Sequence, residues 1–257
     1  HTRYRNVTGV QTCALPILTA FRAVLPAARR QKISHDLRWI AHQFGNAREW
    51  DVFHSEVLAA VRGQLGGDRS LAAFNEAARA ARADAYKAVI ETVNSARYTE
   101  ALLQLEASWE GGDWLAMLGE DRDEPAYDFA RRALKKLHRR LHKLGDRIAE
   151  LDEAELHELR IRAKKLRYAA EFFRSLFPAR GAKAFIRALS EIQDRLGSLN
   201  DGAMVKHRLA ELEKRGNGID HGLLARTSGV ITGWNAACVA ADLKELPEAW
   251  EIGRAHV

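Results

Sequence analysis

Apolar residues recur at helical spacing along most of the chain, and no run shows sustained strand alternation. The pattern predicts helices near 18–25, 28–44, 47–65, 69–94, 97–110, 125–147, 153–177, 180–196, 199–215 and 221–243. The expected breaks are Pro26, Gly45, Gly66-Gly67, Gly111-Gly112, Pro125, Pro178, Gly197 and the stretch from Gly216 to Gly218. At about 100° per residue, Ala130, Ala133, Leu137, Leu141 and Leu144 share one face of the 125–147 segment. Leu159, Leu166, Ala170, Phe173 and Phe177 lie on or near one side of the 153–177 segment. Each such helix must bury a stripe, so the expected fold is all-α, built of antiparallel bundles.

The pattern also repeats. Phe21-Arg22-Ala23-Val24-Leu25-Pro26 matches Phe173-Arg174-Ser175-Leu176-Phe177-Pro178 at an offset of 152. Phe44-Gly45-Asn46-Ala47-Arg48-Glu49 matches Leu196-Gly197-Ser198-Leu199-Asn200-Asp201 at the same offset. Two ungapped matches at one offset read as an internal duplication. The expected domains are a first bundle over 18–116 and a second over 117–250.

The ends read differently. The N-terminal stretch could pass for a signal peptide, with Arg3 and Arg5 ahead of apolar residues. However, Val7–Ile17 can be encoded by a DNA string containing the reverse complement of one that encodes Ile252–Val257. Both strings resemble a sequencing-library adapter. Residues 1–17 and 251–257 are therefore expected to be adapter-derived and to pack poorly.

Composition narrows the class. The 257 residues are 47% hydrophobic and 29% charged, with five prolines, as in a folded helical chain. Two cysteines exclude a disulfide scaffold and a Cys-rich zinc module. Of the two, Cys13 lies in the suspect end, and Cys238 reads as a buried helical thiol. No run reaches the roughly 18 apolar residues of a membrane span. The chain contains no G-x-S-x-G and no P-loop, and its basic stretch holds no paired carboxylates.

Charge changes the picture more. Residues 131–167 carry 13 Lys/Arg and 6 Asp/Glu, whereas the whole chain has a net charge of +6. The excess therefore sits almost wholly in that stretch. Arg131, Arg132, Lys135, His138, Arg139 and His142 fall within about 120° of one another on a helix. His157, Arg160, Lys164 and Arg167 share a face of the next. Like charges at Lys135/Arg139 and Arg160/Lys164 repel, which a merely solvated face would relieve by mixing signs. An external polyanion is expected instead. Arg binds phosphate oxygens with a planar fork and Lys with a compact charge, and cations one turn apart form a ladder with a rise of about 5.4 Å.

His157-Glu-Leu-Arg160-Ile-Arg162-Ala-Lys164-Lys165-Leu-Arg167-Tyr168, then Glu171-Phe172-Phe173, then Ile192-Gln193-Asp194-Arg195-Leu196-Gly197-Ser198-Leu199-Asn200-Asp201, resembles the CHAD family, the histidine-containing α-helical domain. Leu37-Arg38-Trp39-Ile40-Ala41 and Gly45-Asn46-Ala47-Arg48-Glu49-Trp50-Asp51-Val52 look like the family's first-half counterpart. The resemblance covers 18–245. It implies two pseudo-symmetric four-helix bundles with a basic groove or pore that binds inorganic polyphosphate without catalysis. Family members carry the His/Arg motif in each half, but here the first-half equivalents would be positions 5, 8, 12 and 15, inside the suspect end.

The expected function is non-catalytic polyphosphate binding, with polyphosphate or its granules as the partner, and no cofactor, metal or membrane. The expected ligand residues are Arg131, Lys135, Arg139, His157, Arg160, Lys164 and Arg167, with Arg38 as a further candidate beside His35 and His42. Tyr168 is expected to be half-buried at the rim. Arg48, Asp51, Asn200 and Asp201 are expected to cap helices and bridge between them. The expected location is the cytoplasm of a bacterium. Three rival readings stand beside it. His138 and His142 have the i, i+4 spacing of a zinc helix, but Arg139 occupies the place of the usual glutamate. Nucleic acid is also a polyanion, but single-strand binders interleave aromatics, and only Tyr168 would serve here. A helical scaffold docking an acidic protein would use the same surface.

Overall fold

The structure is a computed structural model that describes residues 14–23, 25–65, 69–110, 124–215 and 221–255. A helical segment at 14–20 and a 3-10 turn at Phe21–Ala23 precede α1 (Ala27–Val52). A π-helical stretch, Phe53–Val57, leads into α2 (Leu58–Leu65). Then come α3 (Arg69–Val93), α4 (Ala96–Glu110), α5 (Ala126–Gly145) and α6 (Glu153–Phe173). The chain closes with α7 (Ala179–Arg215) and α8 (His221–Ala255). Among the described residues there is no strand, so the all-α expectation is met. The starts of α1 and α7, and likewise of α3 and α8, keep the offset of 152 found in the sequence.

Two expected breaks are absent. Gly45 lies inside α1 and Gly197 inside α7. A glycine within a helix costs only about 1 kcal/mol relative to alanine. Buried Phe44, Ala47 and Trp50 flank the first, and Ile192 and Leu196 precede the second, so packing outweighs that cost. Pro247 likewise sits inside α8, between buried Leu246 and Trp250. Capping by residues after the glycines therefore has no helix start to act on. Asp51 makes the expected inter-helix bridge, to Arg82. Arg48 is exposed, and the side chains of Asn200 and Asp201 lie outside the described residues.

The chain forms two compact units, and each draws on both halves of the sequence. One comprises 1–41, 96–197 and 245–257, the other 42–95 and 198–244. These units do not follow the expected 18–116 and 117–250 division, because α1 and α7 each contribute to both. In the first unit, Leu18, Leu25, Ile33 and Leu37 form a cluster that Ala14, Leu15, Phe21 and Leu105 pack against. The expectation of poor packing fails for 14–17: these residues are helical, Pro16 is buried, and Thr19 donates to the Leu15 carbonyl at 3.0 Å. Apolar residues that extend an apolar stripe are buried whatever DNA encoded them. At the other end, α8 runs on through 251–255, while 1–13 and 256–257 lie outside the described residues.

The second unit is centred on Trp50, Phe53, Val61, Phe74, Ala78, Ala81, Leu212 and Ile231, all nearly or fully buried. Arg208, 4% exposed, sits among them. Its guanidinium donates to Asn46 at 2.7 Å, bridges Glu49 and Glu211 at 2.6 Å each, and lies over the Trp50 ring at 5.0 Å. Cys238 is half-buried, less enclosed than expected.

Candidate functional site

The basic stretch forms the α5–α6 hairpin of the first unit. Helix α6 starts at a capping box: the Asp152 carboxylate accepts from Glu155 N at 2.8 Å, and Asp152 N donates back to Glu155 at 3.2 Å. Glu153 and Glu155 in the first turn suit the positive end of the helix dipole. His142 and Lys143 suit the negative end of α5. The two helices run antiparallel, as expected. Near the turn Arg147 bridges Glu155 at 3.4 Å. Midway, Arg162 donates to the Arg140 carbonyl at 2.8 Å. At the far end Phe129 meets Phe173 at 6.0 Å and Tyr127 meets Phe177 at 5.3 Å, between ring centroids.

Burial follows the predicted faces. Ala130, Leu137, Leu141 and Leu144 are buried on α5, and Leu156, Leu159, Ala163, Leu166, Ala170 and Phe173 on α6. Arg131, Lys135 and Arg139 are exposed, as are Lys136, Arg140 and Lys143, which the expected ligand set omits. None of these six side chains has an acidic partner among the described residues. Arg132 differs, bridging Glu124 at 2.7 Å. The helical wheel marked one 120° sector, but the apolar stripe covers so little of α5 that its cations spread over the whole exposed half.

Helix α6 is less open. His157 is exposed, and Asp152 rather than His157 caps the helix. Arg160 is half-buried, and its Nε is sealed from solvent with no acceptor among the described residues. Such a buried N–H without an acceptor carries a desolvation cost. Lys164 is half-buried and engaged. Arg167 has several partners. Its guanidinium donates to Gln193 at 2.8 Å, pairs with Glu171, and lies over the Tyr168 ring at 4.3 Å. Neighbouring acid and amide groups thus hold it in place, and half-buried Tyr168 has one face covered. Arg38 is exposed on α1, and no contact joins it to the α5 or α6 cations among the described residues.

The two histidines of the zinc-like spacing touch in a tilted arrangement, with ring centroids 4.1 Å apart, and His142 meets Trp250 at 5.1 Å. Burial lowers the His138 pKa below its usual value, His142 lowers it further, and Asp146 opposes. Among the described residues, no group of three or more His, Cys, Asp or Glu side chains could hold a metal ion. Nor is any described helix long and apolar enough to cross a membrane.

The wider comparisons agree with this architecture. The chain is similar to the crystal structure of the CHAD domain from the plant Ricinus communis, with a TM-score of 0.76 and 27% identity. That match covers 95% of this chain and 79% of the other. No curated protein matches it. The family model described as CHAD domain matches residues 16–210, which spans the α5–α6 hairpin and most of both units, and the chain therefore belongs to the CHAD domain family.

Proposed function

We propose that this CHAD domain binds linear inorganic polyphosphate, without catalysis, along the cationic face of α5 and the neighbouring cations of α6. The observation that carries this reading is the set of six exposed α5 cations, Arg131, Lys135, Lys136, Arg139, Arg140 and Lys143, none with an acidic partner among the described residues. Seven cations within one helix repel, and a chain of phosphates in register with the helix turns relieves that repulsion. Half-buried Arg160 contributes from α6. His157, Lys164 and Arg167 complete the set, with Arg167 positioned by Glu171 and Gln193. The shared offset of 152 in helix starts supports an internal duplication. The reading places the domain in the cytoplasm.

The test is competition for labelled polyphosphate by single-stranded DNA, duplex DNA and polyglutamate at fixed salt. Polyphosphate should win. Its log–log salt slope should be about −4 for six contacts, by analogy with single-stranded nucleic acid. Lys135→Glu with Arg139→Glu should abolish binding and leave helix content intact, since both side chains are exposed. Stronger competition by single-stranded DNA would give first place to nucleic acid. Stronger competition by polyglutamate would give it to an acidic protein.

A further inference from the structure

The sequence offers Tyr168 as the aromatic of the basic face, but in the fold Arg167 lies over its ring at 4.3 Å. Another aromatic is open. Tyr127 stands in the first turn of α5 and is 46% exposed. Phe177 supports it at the far end of the hairpin, with ring centroids 5.3 Å apart and planes tilted by 46°. A ring already held by a neighbour loses less freedom when a flat ligand stacks on it.

Tyr127 heads the cationic ladder. Arg131 and Lys135 follow at i+4 and i+8, about 40° and 80° round the helix and about 6 and 12 Å along its axis. Both are exposed, and neither has an acidic partner among the described residues. Asp128, also exposed, lies about 100° round the helix from Tyr127 and makes no bridge to Arg131 among the described residues. The 3-10 turn Arg174–Leu176 packs against α5, and its Arg174 is exposed with no acidic partner among the described residues. An aromatic plate followed by cations one turn apart matches a flat base joined through a sugar to a short chain of phosphates. The base would stack by its π-face, and the phosphates would meet arginine and lysine as a bare chain does. Bare polyphosphate has nothing to place on Tyr127.

We propose that Tyr127, Arg131, Lys135 and Arg174 form a subsite for a nucleoside triphosphate, with the base stacked on Tyr127 and the phosphates on the cations. The inference rests on the reading of α5 as a phosphate track and adds a nucleobase to its ligand class. Stacking on one ring needs no hydrogen-bond code, so the subsite favours purines for their larger ring system and does not tell adenine from guanine.

Titration calorimetry on the full chain tests this, with ATP, tripolyphosphate and long-chain polyphosphate compared in metal-free buffer at fixed salt. Tripolyphosphate carries at least as much negative charge as ATP, so an advantage for ATP is not electrostatic. ATP should bind about tenfold more tightly than tripolyphosphate, the effect of one base stacked on one ring. Tyr127→Ala should remove that advantage and leave tripolyphosphate unchanged, whereas Tyr127→Phe should keep it. Arg131→Gln should weaken both ligands. ATP binding no tighter than tripolyphosphate, or an advantage that survives Tyr127→Ala in the folded variant, overturns the proposal. The two readings fail separately. ATP binding that needs Tyr127, without binding of either polyphosphate, leaves the subsite standing and removes bare polyphosphate as the ligand. Polyphosphate binding without ATP binding does the reverse, and no binding of any of the three removes both.

Discussion

Gly145 has no side chain because Trp250 occupies the place one would take. A Cβ there would overlap the indole at Cζ2 and Cη2, and the indole also lies beside the His142 ring. Gly145→Ala should therefore destabilise the protein by about 1–3 kcal/mol, the cost of overpacking a filled core. Gly181, early in α7, has nothing within 4 Å of its would-be Cβ. Gly181→Ala should stabilise by up to about 1 kcal/mol from helix propensity alone. Urea midpoints of the two variants should move in opposite directions. His138 sets a pH dependence at the same scale. Its folded pKa lies below 6.5, so the unfolded chain gains a proton before the folded one does as pH falls. Its contribution is fully present above 6.5 and is lost as pH drops from there through the folded value. Melting temperatures should fall on acidification across that window, and less so in His138→Gln. His54 is shifted in the same direction, so the double variant should be flatter still.

At the scale of elements, α5 and α6 show how far a wheel diagram reaches. Most of the apolar residues predicted for these stripes are buried, with Leu166 fully enclosed and Phe173 4% exposed, while Ala133 and Phe177 are half-buried. Leu166→Glu should thus unfold the chain by burying an unpaired charge, whereas the Lys135→Glu/Arg139→Glu variant should keep its circular dichroism. The cationic ladder on α5 was legible because each charge there is local to one exposed face. The partners that hold Arg167 were not legible, because one of them is Gln193, 26 residues away on α7. Arg208 was missed although the sequence carries a signal. It falls in the same stripe as Val205, Leu209 and Leu212, where a cation needs buried partners. Those partners, Asn46 and Glu49, are more than 150 residues distant in the chain.

For the whole molecule, the two compact units interleave along the sequence. Cutting the chain between 116 and 117 would leave neither unit complete, because each needs segments from both sides. The separated fragments 18–116 and 117–250 should each show weak helicity and no cooperative melt, and mixing them should restore both. Cooperative unfolding of either fragment alone would mean that the sequence halves, and not these units, are the folding units.

The sequence by itself determined the helical class, the buried faces of α5 and α6, the cationic run and the likeness to the CHAD family. Each depends on spacing within one segment, and helical periodicity acts over a few residues. Only the tertiary structure decided that Gly45 and Gly197 lie within continuous helices, since burial on either side outweighs a glycine's local cost. It also decided which cations meet an acid and which remain open. A charge's partner is set by packing between distant segments, which no local pattern records.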